Sequence, residues 1–270
     1  MSLAGAAKET LAVIERGAYP APSGAQVVLR ESIDAAIAGT VLYTPEALDR
    51  LAPDGRGASS ARVEVTGETT AEAGSRLAQT EQVPRVVALN FASAKNPGGG
   101  FIGGAKAQEE DLARCSALYP CLLRQRGYYD ANRSFPSLLY TDHIIYSPDV
   151  PFFRDRRLHF LEQPFPLSII TAPAPNAGEA LARDPSVAAE LRRVLDARAL
   201  KVISVAAAHR HRCLVLGAWG CGVFRNDPAH VAQAFADALA RFAGSFDRVV
   251  FAVRDPGGRN IAAFQRQFGG

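Results

Sequence analysis

The chemistry of this 270-residue chain is concentrated in one stretch, Asn96-Pro97-Gly98-Gly99-Gly100-Phe101-Ile102-Gly103-Gly104-Ala105-Lys106-Ala107-Gln108-Glu109-Glu110. Its five glycines let backbone approach a ligand closely and adopt positive φ. An amphipathic helix is expected from about Gln108 to Arg124, so Gln108, Glu109 and Glu110 stand at its start. Two adjacent carboxylates are candidates for general acid–base work. They differ by about 100° around a helix, so one faces a ligand while the other orients it. A helix N-terminus favours the charged carboxylate, whereas a general acid needs burial and like-charge crowding to raise its pKa. The bland alternative is a tight strand-to-helix turn whose acids complement the helix dipole.

A second loop, Gly217-Ala218-Trp219-Gly220-Cys221-Gly222-Val223-Phe224, alternates glycine with bulky residues and leads to Asn226 and Asp227. Backbone amides in such a turn form an anion nest suited to phosphate, and Phe224 could pack a sugar or base. A glycine-rich turn with a core phenylalanine is the plainer reading. Neither loop has the Gly-x-x-x-x-Gly-Lys-Ser/Thr spacing of a P-loop. Arg225 stands where a dinucleotide fingerprint starting at Gly220 needs its third glycine.

Alternating strands and helices must position these loops. A near-continuous apolar strand, Val86 to Phe91, leads into the first, and Cys213 to Gly217 leads into the second. Further strands are expected at Val27 to Leu29, Arg62 to Thr66, Leu167 to Ala172 and Arg248 to Val253. Leu138 to Tyr140 and His143 to Tyr146 suggest a hairpin around Thr141-Asp142. Thr69 to Glu72 forms a capping box, and Thr44-Pro45 and Asp227-Pro228 open two more helices. Helices are also expected over 4–16, 32–38, 186–208 and 260–268. The pattern predicts a three-layer α/β/α domain with ligands at the carboxyl ends of the strands. If the two loop-bearing strands are parallel, both loops face the same edge. The polar loop Ala52 to Ser60 is the expected boundary between an N-terminal helical extension, 1–60, packed on the core, and a catalytic domain, 61–270.

Composition narrows the function. The 30 basic and 27 acidic residues leave a net charge of +3, which does not suggest a general DNA-binding surface. Only Lys8, Lys95, Lys106 and Lys201 are lysines, a bias matching a GC-rich bacterial genome. The four cysteines form no Cys-x-x-Cys pair, and Cys115 and Cys213 read as buried apolar residues. His209 and His211 read as surface polar residues rather than metal ligands. With no apolar run of membrane length and no signal-peptide core in residues 1–17, a cytoplasmic protein without membrane contact is expected.

Gly98-Gly99-Gly100, then seven residues, then Gln108-Glu109-Glu110, resembles the signature of poly(ADP-ribose) glycohydrolases of the bacterial type, built on a macrodomain-like mixed sheet. Leu89 to Pro97 looks like that branch's lead-in, and Leu216 to Phe224 resembles its diphosphate-binding loop. The resemblance implies hydrolysis of ribose–ribose O-glycosidic bonds in poly(ADP-ribose), with no metal and no cofactor. It implies Glu110 as catalytic acid/base, Glu109 and Asn96 on the ribose being cut, and Gly98, Gly99, Gly100 and Gln108 around ribose and diphosphate. Gly220, Cys221, Gly222, Val223 and Phe224 would cradle the diphosphate. Glu68 and Thr69 are candidates for the adenine pocket. ADP-ribose, its polymer and ADP-ribosylated proteins are the implied partners. A non-catalytic ADP-ribose reader, a mono-ADP-ribosyl hydrolase and a nucleotide phosphatase are the competing readings. The paired glutamates argue against the reader.

Overall fold

A computed structural model describes residues 2–51 and 61–269. The expected boundary loop, 52–60, lies outside the described residues. The strands are β1 (Ala18–Pro20), β2 (Gln26–Val28), β3 (Val41–Tyr43), β4 (Arg62–Thr66), β5 (Val86–Phe91), β6 (Ile144–Arg154), β7 (Phe160–Ala172), β8 (Cys213–Leu216) and β9 (Arg248–Ala252). The helices are α1 (Leu3–Arg16), α2 (Arg30–Gly39), α3 (Pro45–Asp49), α4 (Thr70–Ser75), α5 (Gln108–Cys115), α6 (Leu118–Arg124), α7 (Arg126–Ser134), α8 (Ala177–Arg183), α9 (Ala188–Ala208), α10 (Pro228–Ala240) and α11 (Arg259–Phe268). Seven strands form one mixed sheet in the order β3-β6-β7-β5-β8-β9-β4, while β1 and β2 pair separately.

The apolar strands are buried on both faces. In β5, Val87 and Leu89 point into one core with Val202, Phe235 and Phe264 of α9, α10 and α11. Val86 and Ala88 point into the other, with Leu77, Leu112, Leu122 and Tyr128 from the helices of the opposite layer. The strands β8 and β9 alternate in the same way. A strand sandwiched between two helical layers has no solvent face, which is why its sequence reads as an unbroken apolar run. The pairs β5–β7, β5–β8, β8–β9 and β4–β9 are parallel. The loops after β4, β5, β8 and β9 therefore emerge at one edge.

Several local expectations are corrected. The helix expected over 108–124 is two helices. Ser116 is extended, bridges Phe152 of β6 and bonds its own side chain to the Leu112 carbonyl at 2.6 Å. A serine hydroxyl offers the backbone an alternative to the helix ladder. The hairpin expected at 138–146 is absent, because Arg198 holds the carbonyls of Leu139 and Tyr140 and leaves none of residues 138–140 in a strand. The real hairpin is β6–β7, in antiparallel register from Ile145↔Thr171 to Arg154↔Phe160. His211 is buried rather than on the surface. Both its ring nitrogens are satisfied, by the Tyr146 hydroxyl and the Arg85 carbonyl, so burial costs it no hydrogen bond. Residues before 52 do more than pack as helices, since β3 forms the sheet edge on β6. No helix among the described residues is long and apolar enough to cross a membrane.

Candidate active site

The carboxyl end of β5 and the start of α5 are stitched together by Gln108. Its Oε1 accepts from the Phe91 amide at 2.8 Å, and its Nε2 donates to the Leu89 carbonyl at 2.7 Å and the Thr70 hydroxyl at 3.0 Å. Both amide donors are thus engaged on the scaffold. The intervening glycine loop turns through left-handed backbone at Gly98 and Gly99, with φ of 67° and 57°. A side chain at Gly99 would collide with the Glu110 carboxylate. The bare backbone there is what admits the glutamate.

The two glutamates occupy different environments. Glu109 is 2 % exposed; it accepts from the Ser93 amide at 2.7 Å and from Asn90 Nδ2 at 3.2 Å. Burial pushes its carboxyl up to about 8, with the Ser93 and Asn90 bonds opposing and Glu110 adding repulsion. Asn90 is fully buried; its Nδ2 also bonds Thr171, and its Oδ1 has no partner. A half-turn of that carboxamide would offer Oδ1 to a protonated Glu109. Glu110 is 9 % exposed and accepts from the Gly100 amide at 2.9 Å and the Ala107 amide at 3.0 Å. The second bond is half of a capping box, since Ala107 has no side-chain acceptor to return it. Glu110 is the more accessible of the pair, and its position is set entirely by backbone amides.

The second loop crosses directly from β8. Its Gly220 has φ of 71°, and a Cβ there would stand 2.5 Å from both Ala174 and Asn226. Asn226 is buried and staples the loop, donating to the carbonyls of Pro175 at 2.9 Å and Gly220 at 3.1 Å. Trp219, also buried, pins the other side through its indole to the Ala172 carbonyl at 3.1 Å. Among the described residues, the amides of Gly220, Gly222, Val223 and Phe224 have no protein acceptor, whereas those of Cys221 and Arg225 do. Four free amides in a six-residue turn make a preformed anion cradle. The Phe224 ring lies 6.0 Å from that of Tyr140, and Val223 is exposed at the lip.

These loops face each other across a cleft of about 680 Å³, within the range typical of small-ligand sites. Asn96, Gly99, Gly100, Gln108, Glu109, Glu110, Gly220, Gly222, Val223 and Phe224 line it. Gly98 and Cys221 do not. Gly98 is buried with Phe101 and Tyr119 at its back, and the Cys221 thiol contacts the Trp219 carbonyl, its pKa pushed up to about 12 by burial. Of the two adenine candidates, Thr69 lines the cleft, whereas Glu68 does not and is paired with Arg76 through two bonds of 2.8 Å. Sequence reasoning missed Asn90, Ser93, Lys106, Arg254 and Asn226. Two of them carried a signal: Asn90 as a polar residue inside an otherwise apolar strand, and Asn226 as the residue to which the second loop leads.

A smaller hollow of about 390 Å³ opens at the opposite edge of the sheet, lined by Arg62, Arg85, Arg210, Arg212 and Arg248. Most of this charge is matched locally. Arg212 pairs with Asp247, and Arg248 with Glu81 and, at 2.7 Å, with Glu64. It lacks the convergence of acids and free amides found in the larger cleft. Among the described residues, no group of three His, Cys, Asp or Glu side chains is placed to hold a metal ion.

Comparison with known proteins places this geometry in context. The model of the microbial-type PARG catalytic domain matches residues 7–155. The chain is similar to the poly(ADP-ribose) glycohydrolase of Thermomonospora curvata, solved with the inhibitor ADP-HPD. The two are 48% identical over 98% of this chain and 99% of that one, with a TM-score of 0.92. It is similar also to the poly(ADP-ribose) glycohydrolase of Deinococcus radiodurans, solved with ADP-ribose, at 48% identity, 89% and 98% coverage, and a TM-score of 0.84. No curated protein matches it.

Proposed function

This chain belongs to the microbial-type PARG family, and from that premise we propose that it hydrolyses the ribose–ribose O-glycosidic bonds of poly(ADP-ribose), releasing ADP-ribose. One observation carries the reading. A nearly buried carboxylate held by two backbone amides shares its cleft with a loop whose four amides are free. The free amides of Gly220, Gly222, Val223 and Phe224 take the diphosphate, and Phe224 packs on the adjoining sugar. Asn96 and Glu109 orient the ribose being cut. Gln108 contributes by fixing the spacing between β5 and α5.

Glu110 acts as acid and then as base. It protonates the 2′-oxygen that leaves, the C1″–O bond breaks, and positive charge develops on the ribose ring. The carboxylate so formed takes a proton from water as the water oxygen bonds to C1″. The proton is thereby returned to Glu110 and the cycle balances. Burial raises the Glu109 carboxyl to about 8, which reduces the negative charge beside Glu110 near neutral pH. Anchoring the diphosphate makes the attack effectively intramolecular in geometry. ADP-ribosylated proteins bearing polymer are the macromolecular substrates.

The test is Glu110→Gln. Release of ADP-ribose from polymer is expected to fall by at least ~10³-fold, in the upper part of the range for a lost general acid or base, since one residue serves both steps. Affinity for ADP-ribose, measured by calorimetry, is expected to stay within a few-fold. Undiminished turnover in this variant overturns the assignment. A wild-type protein that binds ADP-ribose and never releases it from chains is a reader instead.

A further inference from the structure

Arg114 stands one helical turn beyond Glu110 and is completely buried, yet it is not part of the cleft. Its Nη1 donates to the Ala105 carbonyl at 2.7 Å, and its Nη2 contacts Asp111 Oδ1 at 2.5 Å. Its Nε has no partner. A wholly buried guanidinium with an orphan donor is expensive, and an apolar residue of similar volume would pack there at lower cost. What the charge secures is the end of the glycine loop. The Ala105 amide in turn donates to the Gly100 carbonyl at 3.2 Å, and the Gly100 amide donates to Glu110 Oε1 at 2.9 Å. Arg114, Ala105, Gly100 and Glu110 thus form a ring of contacts that helix α5 itself closes.

The ring is braced from outside by the N-terminal helix. Thr10 of α1 is fully buried, and its hydroxyl donates to the Arg114 carbonyl at 2.6 Å while accepting from Arg154 Nε at 3.2 Å. Arg154, on β6, also reaches Glu9 of α1 at 2.5 Å. Ala7 packs with Phe101 and Ala113, and a side chain on Gly104 would meet the Ala4 amide nitrogen at 3.3 Å. Helix α1 therefore touches the glycine loop and α5 together.

We infer that Arg114 and Thr10 are positioning residues for the hydrolysis, which make α1 the fixed backstop of the loop that holds Glu110. The inference rests on the reading of Glu110 as the acid. Removing the Ala105 and Asp111 contacts frees Gly100 to shift, and displacement of a reacting group by about 1 Å costs on the order of 10²-fold in rate. The four free amides of the other loop, which neither Arg114 nor Thr10 touches, are left intact.

The experiment compares Arg114→Met, Arg114→Lys, Thr10→Val and, as a control on the exposed face of α1, Lys8→Ala, each at matched folded fraction. In Arg114→Met, kcat on polymer is expected to fall ~10- to 100-fold with the Kd for ADP-ribose within about threefold. Arg114→Lys should recover part of the loss, since an ammonium can reach one of the two partners. Thr10→Val should lose several-fold in kcat, and Lys8→Ala should match wild type. Amide exchange adds a readout independent of turnover: the Gly100 and Ala105 amides should exchange faster in Arg114→Met and Thr10→Val. Unchanged kcat and unchanged exchange overturn the inference. So does a loss of kcat and ADP-ribose affinity in equal proportion, which would mark a merely structural role. If Arg114→Met does not fold, Thr10→Val alone decides by the same two readouts. If wild type proves inactive on polymer, the exchange data still decide whether the ring holds, and the failure belongs to the proposed activity.

Discussion

At the scale of single residues, the site turns on how differently two neighbouring glutamates are housed. Glu109 sits in a closed polar recess and Glu110 on a shelf of backbone amides. The raised Glu109 pKa makes a stability prediction whose sign is fixed. Its folded value of about 8 stands above the ordinary 4.5, so the folded state binds the extra proton between them. The contribution is fully present below about 4.5 and is lost as pH rises through about 8. Glu109→Gln should therefore gain thermal stability relative to wild type as the pH is taken from about 5 to about 8, in calorimetric scans. A difference that does not change with pH would mean that the recess does not favour the proton. The paired acids and their place at a helix start were readable in the sequence, because carboxylate types and the Gly–Glu spacing are local facts. The recess was not. It is built by Asn90, Ser93 and Thr171, and no spacing rule brings a residue of β7 to one of α5.

At the scale of elements, two loops from parallel strands line the cleft together. That both leave the same sheet edge follows from their apolar lead-in strands, and the parallel β5–β8 pair bears it out. The second loop is closely packed at its turn, where Gly220 is left-handed with Asn226 and Ala174 against it. Gly220→Ala should force that turn open and weaken ADP-ribose about tenfold or more, while far-UV circular dichroism stays native. Unchanged affinity would show that the loop backbone is not the diphosphate cradle. Element ends were harder to read than element types. The break at Ser116 follows from pairing with Phe152, a partner far along the chain, and the segment 138–140 leaves the strand state because Arg198 of α9 claims its carbonyls. Both are tertiary overrides of a sound local pattern.

At the scale of the whole molecule, charge is sorted between the two edges of the sheet. The carboxyl edge holds the buried acids and free amides. The opposite edge holds arginines matched to Glu64, Glu81 and Asp247. Arg248→Met should cost about 1–3 kcal/mol of stability by removing the nearest cation of the half-buried Glu64, at 2.7 Å, and leaving it only Arg62 at 3.5 Å and Arg76 at 3.8 Å, with kcat unchanged, because the cleft is at the other edge. A parallel fall in kcat would mean the edges are coupled. The layered architecture was evident from strand–helix alternation, yet the contribution of β3 to the sheet was not, since three residues carry too little pattern to announce a strand. The sheet order has one more consequence, which concerns synthesis. Strand β4 is made early, and it pairs only with β9, the last strand among the described residues. The wall of the cleft that includes Thr69 and Arg254 therefore cannot close on the ribosome until almost the whole chain has emerged. A nascent chain would carry Glu110 long before β9 exists to seat β4 and finish the wall of the cleft.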